Sequence, residues 1–188
     1  DLEVCGQAEG MDDALEAIVD SKPDLAIIDI SLKESHGIDL VKEVKARYPD
    51  LKMLVLSAFK ESLYAERALR AGAMGYLNKQ ETDVQILKAI RTILAGERYV
   101  SAAMTQRLVG QAIGADVARK NPIETLSDRE LEVFRLIGGG QTTGAIARQL
   151  HLSPHTIDTH REKIKQKLKI KTANELQREA TLWMLDNA

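Results

Sequence analysis

Three short apolar runs constrain this chain more than any other feature. Leu25-Ala26-Ile27-Ile28 runs into Asp29, and Met53-Leu54-Val55-Leu56 runs into Ser57. Met74-Gly75-Tyr76-Leu77 leads through Asn78 to Lys79. Runs this short read as buried strands. Helix-periodic segments separate them. Residues 12–21 carry Ala14, Leu15, Ile18 and Val19 and stop before Pro23, and Ile38, Leu40, Val41 and Val44 follow Gly37 and stop at Tyr48-Pro49. Residues 61–71 are closed by Gly72, and residues 82–95 by Gly96. Leu2-Glu3-Val4-Cys5-Gly6 reads as a further strand. Continuously apolar strands that alternate with helices predict a parallel sheet covered on both faces. Such sheets carry their sites at the carboxyl ends of the strands. A carboxylate is costly to bury unpaired, so Asp29, Ser57 and Lys79 are expected to share one crevice.

Beyond Gly96 the alternation stops. Residues 101–113 predict a helix, and the polar stretch from Gly114 to Pro122 predicts a linker. Only helices follow. Ser127 and Glu130 have capping-box spacing before residues 128–137, with Gly138-Gly139-Gly140 as the stop. A short helix is expected over 143–150. Ser153 as N-cap and Pro154 at the first helical position open a helix ending near Leu168. Thr172 and Glu175 repeat the capping box before residues 173–185. The expected organisation is 1–98, a connection over 99–123, and 124–188.

The net charge of −2 points to no partner class, but its distribution does. Arg161, Lys163, Lys165, Lys167, Lys169 and Lys171 stand against Glu162 alone. The single Cys5 excludes an internal disulfide and fits a reducing compartment. No apolar run approaches the ~20 residues of a membrane span. No Walker or G-x-G-x-x-G loop appears, which argues against nucleotide binding.

Asp29 after an apolar strand, Ser57 in LVLSA and AGAMGYLNK ending at Lys79 resemble a two-component receiver domain. LSDRELEVFRLI and GAIARQLHLSPHTIDTHREKIKQKL resemble a LuxR-type helix-turn-helix. Together they resemble response regulators of the NarL/FixJ class. The resemblance implies a flavodoxin-like α/β receiver followed by an all-α four-helix DNA-binding domain. It implies a cytoplasmic regulator that is not an enzyme. By the same resemblance, a sensor histidine kinase is expected to donate a phosphoryl group to Asp29, with Mg²⁺ held by Asp29 and the backbone carbonyl of Ser31. Lys79 and Ser57 contact the phosphoryl oxygens, and the Tyr76 rotamer follows the switch. The added charge, about −1.5 to −2, shifts the balance between two surface states.

In the family the first strand, and the acidic pair that holds Mg²⁺, precede the first residue here. Asp12 and Asp13 open a later helix and are not that pair. The sequence therefore reads as N-terminally incomplete, with residues 2–8 lacking the strand that would join them to the strand of Asp29. Two other readings compete. One is a DNA-binding regulator indifferent to phosphorylation. The other is an aspartate-nucleophile phosphatase, which needs an acid two residues after the nucleophile, where Ser31 stands. Cys5 is expected to be a small strand hydrophobe and His36 a loop residue without a role.

On the helix from Pro154, residues recur at ~100° intervals, so Ile157, Ile164 and Leu168 form a core stripe. His155, Asp158, Thr159 and Glu162 lie opposite, open to the major groove of double-stranded DNA. The resemblance places Thr156 and His160 on phosphates, and carboxylates there can accept from cytosine N4. Arg161, Lys163, Lys165 and Lys167 are expected on the DNA backbone, with Lys165→Ala removing about one contact from the salt slope. Active members of the class pair as homodimers, and Leu176, Ala180 and Trp183 are either that interface or internal core.

Overall fold

Strand β2 (Lys52–Ser57) lies between β1 (Leu25–Asp29) and β3 (Gly75–Asn78), and both pairings are parallel. This is a computed structural model, and it describes residues 2–32, 36–59, 61–113 and 122–187. Around the sheet run α1 (Met11–Ser21), α2 (Gly37–Arg47), α3 (Glu61–Ala71) and α4 (Asp83–Leu94). Helix α5 (Ala102–Ala112) follows, and contacts divide the chain within it, into Asp1–Leu108 and Val109–Ala188. The expected linker lies outside the described residues except for Pro122.

Side chains alternate across a strand, and the two faces of β2 are covered differently. Leu54 packs with Leu77 of β3 and with Ala89, Ile90 and Ile93 of α4. Met53 and Val55 point the other way, as does Tyr76, and all three are buried on the face where α2 lies against β1 and α3 against β3. Burying each such apolar side chain stabilises the unit by about 1.5–3 kcal/mol. Beyond β3 the chain returns beside the sheet: Tyr99 accepts from Tyr76 N at 3.2 Å and donates to Met74 O at 2.9 Å.

The strand expected over residues 2–6 is not formed. Among the described residues, 2–8 join no ladder and are exposed. A strand exists only through a neighbour's hydrogen bonds, and β1, the edge it would need to approach, is paired with β2 alone. Ile27 of β1 is accordingly 48% exposed. Cys5 is exposed as well, so it is not the strand hydrophobe its neighbours suggested. The third strand begins one residue later than its apolar run suggested.

His36 is also not a passive loop residue. It is buried, caps α2 by accepting from Ile38 N at 3.3 Å, and stacks on Tyr64 at 6.0 Å. Beside it Gly37 donates to Ile30 O at 2.9 Å. A Cβ at Gly37 would lie 2.1 Å from the Asp29 carbonyl oxygen. Glycine thus lets the start of α2 press against the end of β1.

The second unit contains a short 3₁₀ turn (Pro122–Thr125), α6 (Asp128–Gly138), α7 (Thr143–Gln149), α8 (Pro154–Leu168) and α9 (Ala173–Asn187). The Ser127–Glu130 capping box is formed, and Ser153 caps α8 by accepting from Thr156 N at 3.0 Å. Helix α6 packs against both α8 and α9. Leu176, Ala180 and Trp183 face inward and are buried, Trp183 against Phe134 with ring centroids 5.7 Å apart. They are core, not an interface. The crossing is close because a Cβ at Gly138 would stand 2.4 Å from Ala180 O.

Glu130 is buried, yet it is ionised. Burial alone would raise its pKa, but bonds from Lys167 and from Ser127 outweigh that and hold it below the ordinary value of 4.5. Lys167 Nζ lies 2.5 Å from Glu130 Oε2 and also donates to Thr125 O at 3.1 Å. The end of α8 is thereby tied to the start of α6.

Two stability measurements check these contacts. Gly37→Ala is expected to cost about 1–3 kcal/mol in urea unfolding, because backbone must move to admit the methyl group. Gly144→Ala, with open space around it, is expected to be neutral or stabilising; equal effects would refute the packing account. A carboxyl whose folded pKa lies below its unfolded value contributes stability above about 4.5, and that contribution is lost as pH falls through the folded pKa. Glu130→Gln should therefore be less stable at pH 7 and should lose less stability on acidification. An unchanged acid limb would show that the pair contributes nothing.

Candidate functional site

Parallel pairing brings the three polar strand ends to one edge. In register Asp29 stands beside Leu56, and Ser57 stands beside Asn78, with Lys79 next along the chain. Lys79 Nζ lies 2.6 Å from Asp29 Oδ2, and Ser31 N donates to Asp29 Oδ1 at 3.0 Å. The side chains are 31% exposed for Asp29 and 46% for Lys79, so the carboxylate can be approached from solvent. A half-exposed pair of this kind stabilises the fold by about 0–1 kcal/mol. Its consequence is positional: it aims a cation at the oxygen where a transferred group would bring negative charge.

Ser57 is fully buried, and its Oγ accepts from Phe59 N at 3.0 Å. Its carbonyl accepts from Lys79 N at 2.8 Å, which fixes the start of the lysine loop. Tyr76 is turned inward, and its hydroxyl donates to Phe59 O at 2.8 Å. Burial raises the tyrosine pKa far above its ordinary value, with Ser57 opposing slightly, so the phenol acts as a neutral donor. Asn78 Nδ2 reaches the same Phe59 carbonyl at 3.3 Å. The Phe59 backbone is therefore the meeting point of Ser57, Tyr76 and Asn78. Sequence reasoning missed Phe59 and Asn78. The available signals were their places, two residues after Ser57 and between Tyr76 and Lys79.

The described residues of the crevice supply only part of a donor set for a metal ion. Among them no group of three or more His, Cys, Asp and Glu could hold an ion. Magnesium demands near-octahedral oxygen coordination, and Asp29 with the Ser31 carbonyl offers two protein donors.

The second surface is the outer side of α8. His155, Asp158, Thr159, Glu162 and Lys163 are exposed there, and Thr156, His160 and Arg161 are half-buried. Thr156 Oγ1 is 2.8 Å from Ser153 Oγ, Thr159 Oγ1 donates to His155 O at 3.0 Å, and Thr143 Oγ1 reaches Asp158 at 3.5 Å. Burial lowers the pKa of His160, and the Arg129 charge adds to this, so the ring is neutral at pH 7. Its Nδ1 is buried without a hydrogen-bond partner. Two expected backbone contacts are already committed. Lys167 holds Glu130, and Lys165, 18% exposed, lies 2.8 Å from Glu162. A run of lysines in sequence does not distinguish a cation facing solvent from one folded onto its own domain. Among the described residues no helix is long and apolar enough to cross a membrane.

Residues 1–91 match the response regulator receiver domain, and residues 124–180 match the bacterial regulatory proteins of the luxR family. Response regulator GacA of Pseudomonas viridiflava is 32% identical over 175 residues, which cover 93% of this chain and 81% of that protein. Oxygen regulatory protein NreC of Staphylococcus haemolyticus is 34% identical over 181 residues, covering 94% and 83%. RcsB of Salmonella enterica serovar Typhimurium, bound to promoter P1flhDC in the presence of phosphomimetic BeF3−, superposes with a TM-score of 0.62. That match covers 92% of this chain and 82% of RcsB at 23% identity, and so speaks for the fold alone. The chain belongs to the response regulators of the NarL/FixJ class, DNA-binding transcriptional regulators of two-component systems that join a receiver to a LuxR-type helix-turn-helix.

Proposed function

We propose that a sensor histidine kinase phosphorylates Asp29 and that this controls binding of α8 to double-stranded DNA. The observation that carries the reading is the 2.6 Å approach of Lys79 to Asp29 at a solvent-reachable strand end, with Ser57 ending the adjacent strand. The carboxylate is the nucleophile, and Lys79 balances the charge it acquires. Ser57 donates its hydroxyl proton to a phosphoryl oxygen, and Tyr76, turned inward onto the Phe59 carbonyl, is the aromatic whose rotamer follows the switch. Mg²⁺ is the ion such transfers use; Asp29 and the Ser31 carbonyl are the residues here that would help hold it, and it would neutralise charge on the phosphoryl oxygens. The cytoplasm, where ATP-dependent kinases work, is the compartment it implies.

In the DNA-binding half, His155, Asp158, Thr159 and Glu162 face the base edges and Thr156 and His160 the phosphates. His160, being neutral, contributes a hydrogen bond and no charge. Long-range attraction comes from Arg161 and Lys163, with Lys169 and Lys171 at the end of the helix. Asp158, which pairs with no cation among the described residues, is the better placed of the two carboxylates to accept from cytosine N4. The protein acts as a homodimer. Since Leu176, Ala180 and Trp183 are core, the apolar residues α9 offers a second copy are Leu182 and Leu185, both exposed.

Incubation with acetyl phosphate and Mg²⁺ is expected to strengthen binding to promoter DNA, and Asp29→Ala should abolish the response. Binding indifferent to the donor would instead establish the phosphorylation-independent reading. Lys163→Ala is expected to lower the slope of log affinity against log salt by about 0.9, one phosphate contact. Lys165→Ala should lower it less, because that cation is already covered; the reverse order would overturn the assignment. A double Leu182→Glu, Leu185→Glu variant should sediment as a monomer where the parent pairs, and persistent pairing would move the interface elsewhere.

A further inference from the structure

Helix α5 begins at a clasp that leads back to the crevice. Its N-cap is Ser101, whose Oγ accepts from Met104 N at 3.0 Å, and whose carbonyl accepts from Thr105 N at 2.9 Å. Both donors of Ser101 go to one carboxylate. Its backbone N–H reaches Glu61 Oε1 at 3.1 Å, and its hydroxyl donates to Glu61 Oε2. Glu61 is the first residue of α3, two positions after Phe59. The Phe59 backbone is bound to Ser57, Tyr76 and Asn78. Two sets of short contacts thus lie two residues apart in the chain: one holds the Phe59 backbone beside the strand end, and the other holds Glu61 against the cap of α5.

We propose that Glu61 is a positioning residue that couples the phosphoryl state of Asp29 to the first turn of α5. The proposal rests on the reading of Asp29 as phosphoacceptor. To reach a phosphoryl oxygen, Ser57 Oγ must rotate toward Asp29, which displaces or breaks its bond from Phe59 N. Tyr76 and Asn78 hold the Phe59 carbonyl, so the displacement passes along the chain to Glu61 instead of being absorbed locally. Glu61 then leaves Ser101. With its two donors unsatisfied, Ser101 no longer holds the geometry in which Oγ accepts from Met104 N, and α5 loses its cap. A cap that served only to stabilise α5 would be indifferent to Asp29. A coupled cap is not, because coupling between two sites is reciprocal: if phosphorylation weakens the clasp, weakening the clasp favours phosphorylation by the same factor.

The full chain is treated with acetyl phosphate and Mg²⁺, phosphorylation is followed by intact mass, and hydrogen exchange is read across residues 102–105. In the parent, exchange there should rise about fivefold to tenfold on phosphorylation, the effect of losing one N-cap, and should not rise in Asp29→Ala. Glu61→Gln should show the faster exchange before any donor is added and little further change afterwards. It should also be phosphorylated to a greater extent at limiting donor, a readout that a purely structural cap would not move. Ser101→Ala is the second variant: it removes the hydroxyl and should reproduce both effects. A chain phosphorylated at Asp29 with unchanged exchange at 102–105, or Glu61→Gln phosphorylated only as far as the parent, overturns the proposal alone. A chain that takes no phosphoryl group at Asp29 overturns the reading beneath it and the proposal together.

Discussion

Parallel strand pairing is the constraint on which the rest of the first unit depends. Three strands that enter the sheet from the same side must leave it at the same edge, so whatever residue ends each strand is delivered to a common place. Asp29, Ser57 and Lys79 are otherwise far apart in the chain and have no local reason to meet. The apolar residues before them supply the burial that holds the sheet between α4 on one face and α2 and α3 on the other. The ion pair between Asp29 and Lys79 adds little stability. It is a product of the fold more than a support of it, which leaves the carboxylate free for chemistry.

Beneath that pair lies a second arrangement that only coordinates reveal. Ser57, Tyr76 and Asn78 converge on the backbone of one residue, Phe59, from two adjacent strands. A backbone amide and carbonyl are obligatory hydrogen-bonding groups, so binding both ends of one residue to three side chains makes its position a readout of all three. Gly37 works from the other side, letting α2 approach the Asp29 carbonyl so closely that the strand end has little room to shift. Asp29 is thus held firmly, while the stretch after Ser57 is held by bonds that can be exchanged. This division suits a site in which the chemistry must stay in place and its consequences must travel.

The sequence showed the architecture wherever a pattern repeated. The buried runs, the helix periods, the capping boxes at Ser127 and Thr172 and the cap at Ser153 all have local causes, and the structure contains them at nearly the expected bounds. What was hidden depends on neighbours. Leu2–Gly6 has a strand's composition, but a strand is a relation between two segments, and no partner stands beside it among the described residues. His36 has no pattern around it, and its burial against Tyr64 follows from a turn that brings α2 under the strand end. Leu176, Ala180 and Trp183 have the spacing of one helical face, which is the same whether that face meets α6 or another copy; the close approach at Gly138 decides for α6.

The charges of α8 show the same limit in a functional setting. On the proposed reading the helix must pack on its own domain and meet DNA at once, and its lysines are divided between the two needs. Lys167 neutralises a carboxylate that is buried at the start of α6. Without it Glu130 would carry an uncompensated charge in a poorly solvated place, so the lysine is required by the fold before any nucleic acid arrives. Lys165 lies along the helix against Glu162, which removes one cation and one anion from the exposed surface together. The face left to the groove is therefore less basic than the run of residues implies, and less acidic as well. On the proposed reading, affinity then rests on fewer cations, and discrimination on Asp158 and its neighbours His155 and Thr159. A modestly charged reading head of this kind gains from presenting two copies to one site, since each copy adds its few phosphate contacts to the other's. In such a protein, control over how two copies meet is control over binding itself.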